Sequence, residues 1–336
     1  MTGTLQFGIG FENADVRRQI EYARLAEELG FAACWVPEDY FFRGAFTIAS
    51  APACSTSRIR IGLGVVNPFT RHPALIGMEF AALTELAPAR TILGIGAGVK
   101  VWIDQMGIGS PTPGAAIEEA VEVIRRLLRG EKVTFAGKVF QTDRVGLSFK
   151  SPQAEVPIYL GVLGARNLAR AGRIADGVML SALTSPAYAR FAAEKIHAAA
   201  QGAGGRGRKL ELGAFLLTSI SEDERAAREA IKPLLAVMIS LMAGQPPTPL
   251  FTVAGMDPDE LRRFAETYAR GELPVRLVTD SIIDTFAIAG GPDRCAAALQ
   301  KILDAGVTHP VFFETPGIPA EETIRAVHKY LMPRFL

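Results

Sequence analysis

The sequence predicts an α/β fold, a (β/α)8 TIM barrel with insertions after strands 4 and 7. Three observations lead to this prediction. Apolar strands alternate with amphipathic helices along the whole chain, and eight such units can be counted. The strands are apolar runs without polar alternation, which is typical of parallel strands covered on both faces. The length of 336 residues suits one barrel, because such barrels commonly run beyond about 250 residues when they carry insertions.

The first half of the chain contains four of the predicted strand and helix pairs. Asn13 or Asp15 can cap the first helix and Gly30 can end it. Pro73 suits the first position of the third helix, and Pro88 ends that helix. The strands are predicted at 5–10, 32–36, 59–66 and 91–95, and the helices at 16–29, 46–54, 73–86 and 115–128.

The second half repeats the alternation with longer interruptions. Ser221 and Glu224 have the spacing of a capping box, which predicts that a long helix begins there. The remaining strands are predicted at 157–162, 177–182, 212–220 and 310–314, and the other helices at 166–171, 186–200, 292–305 and 321–331. Residues 1–336 are interpreted as one domain, with insertions at about 97–114, 131–153 and 245–290. The second insertion is expected to contain a small hairpin.

Composition excludes several classes of function. The net charge of +1 gives no electrostatic attraction to nucleic acid or to an acidic membrane. No apolar run approaches the ~18 residues that a membrane span needs, and Met1 to Gly10 lacks the pattern of a secretory signal. The three cysteines are Cys34, Cys54 and Cys295, an odd and widely spaced set. A reduced, cytoplasmic compartment is therefore expected.

The stretch from Arg58 to Pro73 combines a buried strand with a loop suited to a ligand. Gly62 and Gly64 interrupt the apolar run and allow close backbone approach. Asn67 precedes a proline and marks a turn. The same pattern also fits a buried strand with an ordinary exit loop.

The end of the second strand carries two carboxylates and three aromatic rings. In a barrel, chemistry is placed at the C-terminal strand ends. Glu38 and Asp39 are therefore candidate catalytic residues, with Tyr40 and Phe42 as apolar walls for a substrate. The alternative is a solvated acidic turn.

Glycine-rich loops follow the fourth and fifth strands. The segment 94–100 contains GxGxG, but it lacks the third glycine and the acidic residue of a dinucleotide fingerprint. The segment 161–166 joins free backbone N–H groups, a helix start and the Arg166 guanidinium, which are the elements of an anion site. A short loop that needs glycine only for its turn is the alternative. No spacing typical of metal ligands is present.

The segment Gly64-Val65-Val66-Asn67-Pro68-Phe69-Thr70-Arg71-His72-Pro73 resembles a motif of the luciferase-like monooxygenase superfamily. This superfamily comprises flavin and deazaflavin oxidoreductases, and the methylenetetrahydromethanopterin reductases resemble this sequence most closely. The resemblance implies a TIM barrel and a non-prolyl cis peptide at Gly64-Val65. That peptide would back the ring of coenzyme F420 or FMN.

The resemblance also implies roles for individual residues. Glu38 matches an acid of the family, whereas Asp39 replaces a histidine, and Val99 stands where the family has an acid. Trp102, with the two rings named above, would contact the substrate, as would the insertion from Gln245 to Gly271. The implied cofactor-binding residues are Gly64, Val65, Asn67, Thr70, Gly96, Ala97, Gly98, Lys100, Gly161, Val162, Leu163, Gly164, Ala165 and Arg166.

Three functions remain open at this stage. The first is hydride transfer between F420 and a small organic substrate. The second is an FMN-dependent monooxygenase that works with a separate flavin reductase, and the third is a barrel that binds a flavin without turnover. The resemblance also implies a homodimer or tetramer. The second helix, with Phe46, Ile48 and Ala49, is either its interface or part of the chain's own core.

Overall fold

A closed parallel barrel forms the centre of the protein, whose structure is a computed structural model that describes residues 5–11, 15–109, 112–202, 210–244 and 248–336. The strands are β1 (Gly8–Gly10), β2 (Ala33–Val36), β3 (Arg60–Val66), β4 (Thr91–Gly96), β5 (Val133–Ala136), β6 (Gln141–Val145), β7 (Ile158–Gly161), β8 (Gly177–Leu180), β9 (Glu211–Ile220), β10 (Ala287–Gly290) and β11 (His309–Phe313). Around the barrel the order is β1, β2, β3, β4, β7, β8, β9 and β11, which pairs again with β1. The predicted fold class is confirmed.

Helices cover the outside of this barrel, and most begin close to their predicted positions. They are α1 (Val16–Glu28), α2 (Ala45–Ser55), α3 (Pro73–Leu86), α4 (Lys100–Gln105), α5 (Pro113–Leu128), α6 (Ala165–Ile174), α7 (Pro186–Gly202), α8 (Glu224–Ala243), α9 (Pro249–Thr252), α10 (Pro258–Ala269), α11 (Asp280–Phe286), α12 (Pro292–Asp304), α13 (Ala320–Ala326) and α14 (Met332–Phe335). A 3-10 turn at Val275–Leu277 and a wider helical turn at Val327–Leu331 complete the set. The short helix α4 lies inside the first predicted insertion.

In the described residues, the main sheet contains one strand, β10, in addition to the eight of the barrel. This strand was not predicted, and it lies at the end of the third predicted insertion. Leu217 of β9 pairs with Phe313 of β11 on one edge and with Ala287 of β10 on the other. Near the start of β9, the same edge pairs with β8, where Gly213 lies opposite Met179. The strand β10 therefore continues the pairing along this edge beyond the end of β8. The hairpin in the second insertion is present, since β5 and β6 pair in antiparallel fashion.

Two helix starts show how capping works in this chain. The Asp15 carboxylate, one of the two predicted caps of α1, accepts the N–H groups of Arg17 and Arg18. The other predicted cap, Asn13, lies outside the described residues. The predicted capping box at Ser221 is wrong, because Asp223 caps α8 by accepting the N–H of Ala226 at 3.0 Å. An aspartate two residues nearer the helix places its oxygen closer to the free N–H groups.

The barrel interior is filled by pairing glycines with large side chains from neighbouring strands. A Cβ atom at Gly10 would lie 2.4 Å from the Phe313 ring, and one at Gly62 would lie 2.4 Å from the Trp35 ring. The same relation joins Gly177 to Tyr159 and Gly213 to Met179. Because a packed core leaves no spare volume, each of these glycines provides the space that its aromatic or thioether neighbour occupies.

The third predicted insertion packs against α8. The Arg228 guanidinium, 10% exposed, pairs with Asp280 at 2.9 Å and with Asp284 at 2.6 Å on α11. The Ser240 hydroxyl of α8, which donates to Ala236 at 2.6 Å, also lies 3.4 Å from the backbone oxygen of Phe264 in α10. Residues 245–247, at the start of this insertion, lie outside the described residues. The described remainder is thus held against α8 by ion pairs to a largely buried arginine.

Candidate active site

A bulge at the C-terminal end of β3 forms the floor of the candidate site. The Gly64–Val65 peptide is cis, as the resemblance implies, and the pairing register with β4 shifts between Leu63 and Val66. The Val65 side chain then lies over two neighbouring strands. A Cβ at Gly96 would be 2.5 Å from its Cγ2 atom, and one at Gly161 would be 2.8 Å from its Cγ1 atom. Glycine at these positions makes room for the bulge.

The buried side chain of Asn67 joins this bulge to the loop after β4. Its Nδ2 atom donates to the backbone oxygen of Ala97 at 2.5 Å, and its Oδ1 atom accepts from the N–H of Phe69 at 2.6 Å. Gly98 has a φ of +72°, and a Cβ there would lie 2.7 Å from Nδ2. The amide therefore sets the spacing of two loops at the mouth.

Three predicted residues meet beside this loop. The Thr70 hydroxyl donates to the Asn67 backbone oxygen at 3.1 Å, so the Tyr40 hydroxyl, 3.0 Å away, donates to Thr70. The Tyr40 ring meets the Trp102 ring edge to face, with centroids 6.4 Å apart. Burial raises the pKa of Tyr40, which keeps its hydroxyl protonated near neutral pH.

The chain leaves this aromatic pair through a second cis peptide, Tyr40–Phe41. Phe42 is 51% exposed and Phe41, which the sequence reasoning did not select, is 68% exposed. Two phenyl rings therefore stand in solvent at the rim of the barrel. Adjacent exposed aromatic rings of this kind can contact a ligand at the mouth.

The two candidate carboxylates differ in their surroundings. Glu38 has a side chain only 6% exposed, and Arg71 donates to both of its oxygens, at 3.0 and 3.2 Å. Arg71 also pairs with Glu79 at 3.3 Å and lies over the Phe46 ring at 5.1 Å. Asp39 is less buried, and its backbone oxygen accepts the N–H of Phe42. Sequence reasoning missed Arg71 as the partner of Glu38, although it lies within the β3 motif.

Lys100 follows the loop after β4. It is the first residue of α4, and its ammonium pairs with Asp104 one turn later at 2.5 Å. Both side chains are more than half exposed. Val99 provides the capping position before this helix and has no polar side-chain atom to offer.

The loop after β7 opens into a cavity of about 540 Å³. Gly164 has a φ of +76° and precedes α6, which begins at Ala165. The Arg166 side chain is exposed, whereas Val162 is buried. The residues that line the cavity are Thr112, Pro113, Gly114, Ala115, Leu163, Gly164, Ala165, Arg166, Asn167 and Arg170. The predicted anion loop is thus joined by the first turn of α5, which sequence spacing did not reveal.

Arg170 shapes the wall of this cavity. It pairs with Glu118 of α5 at 2.9 Å and donates to Asn167 at 2.6 Å. A Cβ at Gly114 would lie 2.2 Å from its guanidinium. The start of α5 is therefore held against α6, so that two helix N-termini face one cavity and favour negative charge there.

Over the described residues, no group of three or more His, Cys, Asp or Glu side chains has a geometry that could hold a metal ion. In the same part of the chain, no helix is long and apolar enough to cross a membrane.

Known proteins resemble this chain over nearly its full length. A 5,10-methylenetetrahydromethanopterin reductase of Methanolobus tindarius is 33% identical over 332 residues, which cover 98% of this chain and 100% of the relative. An F420-dependent glucose-6-phosphate dehydrogenase of Nakamurella multipartita is 28% identical over 94% of this chain and 91% of its own. The solved structure of the coenzyme F420-dependent tetrahydromethanopterin reductase of Methanopyrus kandleri is 29% identical and superposes with a TM-score of 0.91, covering 99% of this chain and 100% of its own.

The fold, the bulge and these relatives agree on one classification. The family described as luciferase-like monooxygenase matches residues 2–309. The relatives named above are oxidoreductases. This chain therefore belongs to the luciferase-like monooxygenase family.

Proposed function

We propose that this chain is an F420-dependent oxidoreductase that transfers a hydride between the deazaflavin and a small organic substrate. The observation that carries the proposal is the Gly64–Val65 bulge, where a valine side chain is embedded among the glycines of β4 and β7. It forms an apolar support at the barrel mouth, close to a cavity that suits a phosphate. The full-length similarity to F420-dependent reductases and dehydrogenases supports the same assignment.

The residues present fit the two ends of such a cofactor. The tricyclic ring would lie over Val65, and its tail phosphate would lie at the start of α6, where the Arg166 guanidinium is exposed. The positive ends of α5 and α6 and a volume of about 540 Å³ suit an anionic group. When bound, the deazaflavin ring supplies the two-electron hydride chemistry. The protein's contribution is to orient the ring, exclude water and handle the accompanying proton.

In our proposal, the side chains at the barrel mouth have different roles. Glu38 is committed to Arg71, so we assign it the task of holding the β3 loop beside the ring. Asp39 is less buried and is the proposed proton-handling carboxylate. Tyr40 and Trp102 would form one wall of the substrate site, with Phe42 at its rim.

An FMN-dependent monooxygenase is the second candidate. It is favoured by Val99, which offers no proton in the loop after β4. An enzyme of that type would need a separate flavin reductase to supply reduced FMN. A flavin-binding barrel without turnover is the third reading, and it predicts binding without any detectable reaction.

Titration of the apo-protein separates the first two candidates, whereas the third is distinguished by the absence of turnover. F420 and FMN would be added in parallel while ligand fluorescence and absorption are followed. We expect saturable F420 binding and much weaker FMN binding. Preference for FMN would replace the first proposal by the second, and binding of neither would refute both.

We further infer a homodimer in the cytoplasm. Ile48 and Ala49 of α2 face the chain's own core, so that helix face is not available for an interface. On α3, by contrast, Leu75, Met78 and Leu86 are each more than 40% exposed and follow a helical spacing. Light scattering of the parent and of Met78→Glu tests this interface, since the charged variant should be monomeric. The three free thiols support a reducing compartment.

A further inference from the structure

A layer of polar side chains lies inside the barrel below the candidate ring site. The His309 ring is fully buried, and its Nε2 atom is 3.0 Å from the indole Nε1 atom of Trp35. Its Nδ1 atom faces Glu211 at 4.0 Å and Arg60 at 3.4 Å. Glu211 also accepts the Tyr159 hydroxyl. These groups lie at the strand starts, so they cannot touch a ligand at the mouth.

The proton positions in this layer follow from its hydrogen bonds. An indole N–H can only donate, so His309 accepts through Nε2 and carries its own proton on Nδ1, toward Glu211. Burial lowers the pKa of His309, which keeps the ring neutral. The His309 N–H, 4.0 Å away, the Tyr159 hydroxyl and the Arg60 charge lower the pKa of Glu211 to about 2. The indole N–H therefore determines the tautomer of His309, although Arg60, which can only donate, lies 3.4 Å from the protonated Nδ1 atom.

Trp35 connects the polar layer to the bulge. A Cβ at Gly64 would lie 2.8 Å from the indole Cε3 atom, and one at Gly62 would lie 2.4 Å from it. The indole is thus in contact with the backbone of β3 directly below the Gly64–Val65 peptide. The Phe215 ring, 6.0 Å away at 82°, holds it from the side. An indole has one polar edge, and a single acceptor is enough to fix which way that edge points.

We propose that His309 is a positioning residue for the cofactor ring and acts through Trp35. By accepting the indole N–H, it fixes the side chain on which the β3 bulge rests, and so sets the height of the surface that supports the ring. The inference rests on the proposed function, because it assumes that a flavin-like ring lies on the bulge. The proposal extends the candidate site to His309, which lies at the start of β11, away from the barrel mouth.

A double-mutant cycle tests whether His309 acts through Trp35. His309→Leu removes the acceptor of the Trp35 N–H and keeps a side chain of similar volume. We expect this variant to bind F420 about tenfold more weakly than the parent. In a Trp35→Phe background, which has no N–H to satisfy, the same substitution should change F420 affinity less than twofold. Additive effects in the two backgrounds would overturn the proposal.

A conservative variant and a fluorescence measurement complete the test. His309→Gln offers an amide oxygen to the indole and should keep F420 affinity within about twofold of the parent. A tenfold loss in this variant would overturn the proposal even if the leucine variant does not fold. In a Trp102→Phe background Trp35 is the sole tryptophan. Its emission maximum should therefore shift in the His309→Leu variant and return to the parent value in the His309→Gln variant.

A matched control separates positioning from stability. Thr84→Val removes a buried hydroxyl that donates within α3 to Ala81, so it should lower the melting temperature and leave F420 affinity unchanged. If His309→Leu alters Trp35 emission while F420 affinity stays at the parent value, the positioning role is refuted and the proposed function stands. If the parent binds neither F420 nor FMN, the proposed function fails and the positioning role fails with it.

Discussion

Replacing Glu38 by glutamine tests how the mouth of the barrel is held together. The change removes one negative charge and keeps the shape of the side chain. Arg71 donates to both carboxylate oxygens, and the Glu38 side chain is only 6% exposed. Arg71 keeps Glu79 as a second partner and is itself 25% exposed. The substitution therefore weakens a charge-assisted contact without leaving the guanidinium unpaired.

The expected magnitude follows from these contacts. Removing one partner of a fully buried ion pair costs about 3–5 kcal/mol, but Arg71 is partly hydrated and the glutamine oxygen still accepts one hydrogen bond. A loss of about 1–2 kcal/mol is therefore expected, in the range of a single hydrogen bond to a charged group. In a chain of 336 residues that corresponds to a fall of roughly 1.5–3 °C in melting temperature.

Thermal unfolding of the apo-protein, followed by circular dichroism, measures this fall. Glu79→Gln removes the outer partner of Arg71, whose side chain is 34% exposed, and should shift the melting temperature by less than about 1 °C. The reasoning is wrong if Glu38→Gln melts with the parent or if both variants lose the same stability. A fall in turnover of about 100-fold or more, with cofactor affinity retained, would instead assign Glu38 a direct proton-transfer role.

Three further predictions address the ring support, the cavity and the polar layer. Arg166→Ala should weaken F420 binding by about 3- to 10-fold in a fluorescence titration, because one guanidinium at a helix start contributes about 1 kcal/mol. The exposed Arg173, in the last turn of α6, should tolerate the same change, and equal losses would remove the anion assignment. Gly96→Ala should lower the melting temperature by a few degrees, since overpacking costs about 1–3 kcal/mol, whereas Gly202→Ala, which has no atom within 4 Å, should not. Because its folded pKa is lowered to about 2, ionised Glu211 contributes stability above pH 4.5 that is lost as the pH falls toward 2. Glu211→Gln should reduce that acid dependence in urea unfolding, and an unchanged pH profile would contradict the assignment.

The barrel could be predicted because its signals are local. Apolar runs such as 59–66 and helix starts such as Pro73 are readable in a short window of sequence, and both lie within one residue of the observed elements. The strand Ala287–Gly290 escaped prediction because it has four small or aliphatic residues and follows a helix directly. Its partner is the far half of β9, and no local pattern identifies that pairing.

The candidate site shows the same contrast between local sequence signals and contacts of distant segments. The Gly64–Val65 bulge and the loop at Gly161 were found through a short, specific motif. The pairing of Glu38 with Arg71 joins the loops that follow β2 and β3, and the first turn of α5 reaches the cavity only after the chain has folded. The last strand was predicted to start at residue 310, whereas His309 is fully buried as the first residue of that strand. Contacts between distant segments determine each of these positions.

The pairing of interior glycines with large neighbours restricts the order in which this barrel can change during evolution. An alanine at Gly62 is tolerated only after Trp35 has become smaller, and a smaller residue at position 35 first leaves a cavity. Each route therefore passes through a less stable intermediate, so the two positions should show strong epistasis. Engineering of the site for another substrate would have to vary such positions together, because single-site libraries would sample mainly the unstable intermediates.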